Sequence, residues 1–148
     1  MTYSEFKDKV VLVTGASGGI GSAVCREFLS AEAKVYQTDI VGTHNPGFIQ
    51  GDISDTVFIR NLVDEVVEKE GRIDILVNNA GICPRTSILN ITPEEWRKVM
   101  DVNLTSTFFL SQAVIEIMIK NNSGTIVNLA SIAGKVGGIA VGAHYSAS

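Results

Sequence analysis

Lys9 to Val24 (Lys-Val-Val-Leu-Val-Thr-Gly-Ala-Ser-Gly-Gly-Ile-Gly-Ser-Ala-Val) constrains the fold of this chain more than any other stretch. Val10 to Val13 is an apolar, mostly β-branched run without alternation, the pattern of a central strand covered on both faces by helices. Gly15, Gly19 and Gly21 follow in a Gly-x-x-x-Gly-x-Gly spacing. A turn this tight requires positive φ, and a backbone that closely approaches a pyrophosphate cannot carry a Cβ there. The N–H groups in the first turn of the next helix, with its dipole, then face the anion. An ordinary strand-to-helix turn uses similar glycines, so the weight of the reading falls on the rest of the chain.

The second strand, Val35 to Thr38, ends on Asp39. A carboxylate at that tip can accept both ribose hydroxyls of an adenosine whose pyrophosphate sits on the glycine turn, and it repels a 2′-phosphate. Gly18 stands before Gly19 and Ile40-Val-Gly follows Asp39, so no adjacent cation could pair with that phosphate. NAD is expected over NADP, the alternative being a solvated strand-end aspartate. The turn residues from Gly42 to Gly47 leave too little chain for a regular crossover helix, and His44 reads as a solvated loop residue. A third strand, Phe48 to Gly51, is expected to end at Asp52-Ile53, where a carboxylate and an amide could meet an adenine edge.

Ser54 or Asp55 can cap a helix whose Ile59, Leu62, Val63 and Val66 share one face, ending at Gly71. Ile73 to Val77 is the fourth strand and runs into Asn78-Asn-Ala-Gly81 at the carboxyl edge of the sheet, the side on which such sheets bind ligands. Thr92-Pro-Glu-Glu95 opens one long helix to about Lys120, with the polar Asn103 inside its apolar pattern. A fifth strand, Thr125 to Leu129, leads to Ser131 and a glycine-rich loop from Gly134 to Gly142. His144-Tyr145-Ser-Ala-Ser148 reads as the first turn of another helix.

Composition narrows the partners. With 45% apolar and 19% charged residues and a net charge of −4, the chain has the make-up of one globular domain with no basic stripe for nucleic acid or anionic membranes. No stretch approaches about 18 uninterrupted apolar residues and the N-terminus lacks the pattern of a secretion signal, so a cytoplasmic protein is expected. Cys25 and Cys83 have neither metal-ligand nor disulfide spacing and are expected as reduced thiols in packed positions.

Taken together, Thr14-Gly-Ala-Ser-Gly-Gly-Ile-Gly21, Asp52-Ile53, Asn78-Asn-Ala-Gly81, Asn103, Asn128-Leu-Ala-Ser131 and Tyr145-Ser-Ala-Ser148 resemble the short-chain dehydrogenase/reductase family, in register along the whole chain. The resemblance implies an α/β fold, a doubly wound parallel sheet of the Rossmann type. It also implies a nicotinamide cofactor and reversible hydride transfer with a small-molecule alcohol or carbonyl substrate, such as a 3-oxoacyl thioester or a sugar. It assigns Ser131 to hydrogen-bond the substrate oxygen, Tyr145 to act as general acid/base and Asn103 to hold a water in the proton relay. Gly15, Ser17, Gly19, Ile20, Gly21, Asp39, Asp52, Ile53, Asn79, Ala80, Gly81 and Tyr145 would contact the cofactor, NAD. A homo-oligomer, dimer or tetramer, built partly on the long helix around Asn103, is implied as well.

The acid/base role suits a phenol only with help, because a free tyrosine with a pKa near 10 is a poor base at neutral pH. The family supplies a lysine four residues on, on the same helix face, and that position falls one residue beyond Ser148. The interval from Ser131 to Tyr145 is one residue longer than is usual in the family. The sequence thus reads as an incomplete single NAD-binding domain over residues 1–148, its fifth strand's outer edge unpaired, either a fragment of an enzyme or a chain that works with a partner piece. The alternative class is a catalytically silent NAD-binding or interaction module. His144 reads as structural or substrate-adjacent, since neighbours on a helix point apart.

Overall fold

The computed structural model describes residues 4–138 and 140–148. Met1–Tyr3, at the head of the segment read for a secretion signal, and Ile139 of the glycine-rich loop lie outside the described residues. Strand β1 (Val10–Thr14) is buried at every position and feeds two cores in alternation. Val10 and Leu12 join Ile59, Leu62, Val66, Leu110 and Val114 on one side, while Val11 and Val13 meet Cys25, Val35, Ile75 and Val77 on the other. That two-sided burial explains why its sequence shows no polar alternation.

β1 pairs in parallel with β2 (Lys34–Asp39) and with β4 (Ile75–Asn78). β3 (Phe48–Gln50) and β5 (Thr125–Asn128) complete a five-stranded parallel sheet in the order β3-β2-β1-β4-β5. The order reverses direction between β1 and β4, which opens a crevice at their carboxyl ends. β3 stops at Gln50, so Asp52 and Ile53 stand in the turn after the strand rather than at its end.

Helix α1 (Gly19–Ser30) begins directly after the glycine turn. α2 (Thr56–Glu70) is capped by the Asp55 side chain, which accepts from the Val57 amide, and it stops at Gly71 with φ 71°. The expected helix from Thr92 to Lys120 is interrupted. α3 (Pro93–Met100) is followed by a π-helical segment over Asp101–Thr105 and then by α4 (Ser106–Lys120). The Ser106 amide donates to the Asp101 carbonyl, the i→i+5 bond of that segment. Val102, Asn103 and Thr105 are weak helix formers at this place. A short α5 (Ala133–Val136) lies within the glycine-rich loop, and α6 (Ala143–Ala147) carries the tyrosine.

Pro93–Lys120 is, among the described residues, one helix long and apolar enough to cross a membrane by length and composition. Its Val99, Ser106, Leu110, Val114 and Met118 are buried, which makes it a layer of the fold. Leu104, Phe108, Ile115 and Ile119 on its other side stand exposed. Cys25 is buried, and burial pushes its thiol up to about 11. Cys83 is exposed, contrary to the packed position expected of it, because the loop after β4 carries it to the surface.

The opposite, amino-terminal edge of the sheet is fastened by Asp74, which is only 5% exposed. Its carboxylate accepts from the Val10 amide at 2.9 Å and from both Arg72 Nε, at 2.9 Å, and Nη2. Lys9 Nζ lies 3.7 Å away. Burial alone would raise the Asp74 carboxyl, but the Arg72 hydrogen bond, the Val10 amide and the charges of Arg72 and Lys9 together hold it below the ordinary carboxylate value. A carboxyl that titrates lower when folded adds stability that is complete above its unfolded pKa of about 3.9 and is lost as pH falls through the folded value. Urea unfolding followed from pH 7 to pH 3 should therefore show an acid-side loss of stability that is smaller in Asp74→Asn. An unchanged acid limb in that variant would show that Asp74 carries none of it.

Candidate active site

The crevice between β1 and β4 is sewn shut at its base by side chain to backbone bonds. Thr14 Oγ1 accepts from the amides of Asn79 and Ala80 at 3.1 and 3.0 Å. Asn79 Nδ2 donates to the carbonyls of Thr14 and Gly15 at 2.9 and 3.1 Å. Gly15 sits against this floor at φ +63°, and a Cβ on it would lie 2.8 Å from Ala80 Cα. A Cβ on Gly21 would lie 2.1 Å from the Gly15 carbonyl oxygen. Those two glycines therefore serve close packing of turn, helix and strand.

Gly19 differs, since a Cβ there would meet nothing within 4 Å. It faces the open cleft at the amino end of α1, where Gly18 supplies no side-chain cap. The unpaired first-turn N–H groups are thus left for a ligand, and an anionic pyrophosphate fits them by charge and by room.

The cleft holds about 580 Å³, and Gly15, Gly19, Ile20, Gly21, Asp39, Asp52, Ile53, Asn79, Ala80 and Gly81 all line it. Ile20 and Ile40 stand 64% and 62% exposed on its wall and give it apolar surface suited to an aromatic ring. Asp39 accepts from the Ser17 amide at 3.0 Å and from the Val41 amide at 3.2 Å, which fixes the carboxylate at the β2 end of the cleft. Asp52 accepts from the Ser54 amide and hydroxyl. Ser17 is not on the lining, because its hydroxyl turns to the Val41 carbonyl. Thr38, Ile82, Lys98 and Val102 also line the cleft, and the sequence reading assigned none of them to the site. Lys98 and Val102 arrive from α3 and the π-helical segment, and no local pattern marks them.

Ser131, Asn103 and Tyr145 lie off this lining, on the side where α5 and α6 sit. Ser131 Oγ is exposed and accepts from the Ala133 amide at 3.1 Å, which leaves its own hydrogen free to donate. A Cβ on Gly134 would lie 3.7 Å from the Ser146 carbonyl, so the serine's loop runs alongside the tyrosine's helix. The half-buried Asn103 accepts from the Ile82 amide at 2.9 Å and donates to the Ile82 carbonyl and to Ser148 Oγ, at 3.0 and 2.9 Å. Ser148 Oγ in turn donates to the Tyr145 carbonyl at 3.0 Å. The π-helical segment thereby ties the loop after Gly81 to the tyrosine helix, with the Asn103 amide engaged at both ends.

Known proteins are similar to this chain in sequence and in fold. The acetoacetyl-CoA reductase of Acinetobacter sp. (strain RA3849) is 36% identical over 157 residues, covering 96% of this chain and 63% of the relative. A 3-oxoacyl-[acyl-carrier-protein] reductase of Thermotoga maritima is 36% identical over 146 residues, covering 90% and 59%. Among solved structures, the ligand-free aldohexose dehydrogenase of Thermoplasma acidophilum superposes with a TM-score of 0.90 at 33% identity, covering 97% of this chain and 57% of that one. The structure of gox2181 gives a TM-score of 0.90 at 30% identity, covering 99% and 64%. The chain spans a little under two thirds of the curated relatives it matches. With the parallel sheet, the glycine cradle and the tyrosine helix in place, and with the sequence profile of the short chain dehydrogenases matching residues 9–148, the chain belongs to the short chain dehydrogenase family.

Proposed function

We propose that the chain forms the cofactor side of an NAD-preferring oxidoreductase that interconverts a secondary alcohol and a carbonyl compound, a 3-oxoacyl thioester or a sugar. The observation that carries this reading is the cleft at the β1/β4 crossover, with Gly19 open at one place and the Asp39 carboxylate fixed at the β2 end. When bound, the nicotinamide supplies or accepts the hydride. The chain's own residues handle the oxygen. Tyr145 gives or takes the proton there, and Ser131, whose oxygen accepts from the Ala133 amide while its hydrogen stays free, donates a hydrogen bond to the same atom. Asp39 favours NAD because two ribose hydroxyls can donate to it, whereas a 2′-phosphate would be repelled. The exposed Leu104, Phe108, Ile115 and Ile119 support a homo-oligomer built on α4.

The test uses the full-length polypeptide, titrated with NAD and NADP and assayed with acetoacetyl-CoA and with aldohexoses. NAD should bind at least about tenfold more tightly than NADP, and Asp39→Ala should narrow the gap by weakening NAD binding, since each lost charge-assisted hydrogen bond is worth about 1–3 kcal/mol. Equal affinity for the two dinucleotides would overturn the NAD preference. Binding of neither would overturn the cleft assignment.

A further inference from the structure

His144 precedes the tyrosine and is fully buried, at 0% exposure. Space for the ring exists because residue 142 is glycine: a Cβ there would lie 2.1 Å from His144 Cε1. The Gly142 amide is itself bound to the Pro84 carbonyl at 3.0 Å, so the imidazole is enclosed by the loop that follows the Asn79–Gly81 turn. His144 Nδ1 accepts from the Tyr145 amide at 3.0 Å, and the same amide donates to the Gly142 carbonyl at 3.1 Å. An imidazole that accepts at Nδ1 carries its hydrogen on Nε2.

That Nε2 atom is buried and has no hydrogen-bond partner among the described residues. Facing it from α3, 3.7 Å away, is Glu95 Oε1. The same carboxylate oxygen accepts from Thr86 Oγ1 at 2.6 Å. A buried donor aimed at a held acceptor is satisfied by a displacement of under 1 Å.

We propose that the half-buried Glu95 and the buried His144 form a latch that joins α3 and the loop after β4 to α6 and fixes the backbone at Tyr145, making both of them positioning residues for the reaction. This rests on the acid/base reading of Tyr145. Asn103 and Ser148 hold the tyrosine's carbonyl, while Glu95 and His144 hold its amide. With both peptide groups clamped, the phenol is placed by the fold before substrate arrives, and misplacement by about 1 Å costs up to about a hundredfold in rate.

Two measurements test the latch. Nitrogen-15 spectra of the imidazole should show the Nε2–H tautomer, with the Nε2 signal moving in Glu95→Ala; an Nδ1–H tautomer would overturn the proposal. In turnover assays on the full-length polypeptide, His144→Ala and Glu95→Ala should each lower kcat about 10- to 100-fold, with NAD affinity within about twofold of the parent. The double variant should be no worse than either single one, and His144→Gln, which keeps a donor, should recover most of the rate. Unchanged kcat in His144→Ala, or single losses that multiply in the double variant, would sink the latch. Should His144→Ala fail to fold, the spectra and Glu95→Ala decide. Full turnover in Tyr145→Phe would instead overturn the acid/base reading alone, and the tautomer would still report on the Glu95–His144 contact.

Discussion

Tyr145→Phe is expected to lower turnover by about 10²- to 10⁴-fold, the range that a positioned general acid or base contributes, while NAD binding changes little. The asymmetry follows from geometry. Tyr145 sits on α6, off the lining of the cleft formed by the glycine turn, Asp39 and Asn79–Gly81. Phenylalanine keeps the ring and its packing and removes only the hydroxyl, so melting should not move by more than a degree or two. Stopped-flow measurement of the hydride step beside a calorimetric NAD titration separates the two effects. A variant that turned over like the parent would end the assignment.

The second large effect is on the fold. Gly21→Ala places a Cβ 2.1 Å from the Gly15 carbonyl oxygen and 2.7 Å from Asn79 Nδ2. Neither the turn backbone nor the Asn79 amide can give way without breaking the seam between β1 and β4, so a loss of about 2–4 kcal/mol is expected. Gly19→Ala, two residues earlier, is the control. Its Cβ meets nothing within 4 Å and lies in the first turn of α1, so the melting temperature should hold or rise slightly. The methyl group would instead occupy the cradle and weaken NAD binding by about tenfold or more, roughly the cost of displacing one charge-assisted contact. Thermal melting and NAD titration on both variants check the pair. If Gly19→Ala bound NAD as the parent does, Gly19 would not be part of the cradle.

Local chemistry explains which features the sequence reveals. The β-branched run at Val10–Val13, the Asp55 and Thr92 caps and the glycine turn each encode their own conformation, and the structure places all of them close to the expected boundaries. The π-helical segment at Asp101–Thr105 escapes a pattern reading because one extra residue per turn leaves the apolar spacing almost unchanged. Thr14 reads as the last residue of a strand, and only its pairing partner reveals that its hydroxyl organises Asn79 and Ala80. Glu95 reads as an acid in the first turn of a capped helix, and Lys98 carries no local signal at all. Lys98 lines the cleft and Glu95 faces a buried histidine, because both meet residues distant in sequence. The exposure of Cys83 has the same origin, since a loop's course over a surface is set by what lies beneath it.

The seam between Thr14 and Asn79 also decides how the cleft can breathe. Its floor is stitched by four hydrogen bonds shared between neighbouring strands, so it can widen only if the sheet itself parts. The rim is made of different material: Ile40 on the segment leaving β2, and Lys98 and Val102 on α3 and the bulged turn that follows it. On the proposed reading, any adjustment to a dinucleotide would fall to the rim over a stationary threshold, much as a drawer slides on a fixed rail. Its pyrophosphate end would register against the stationary part first, and only the two ring-bearing ends would feel the moving walls.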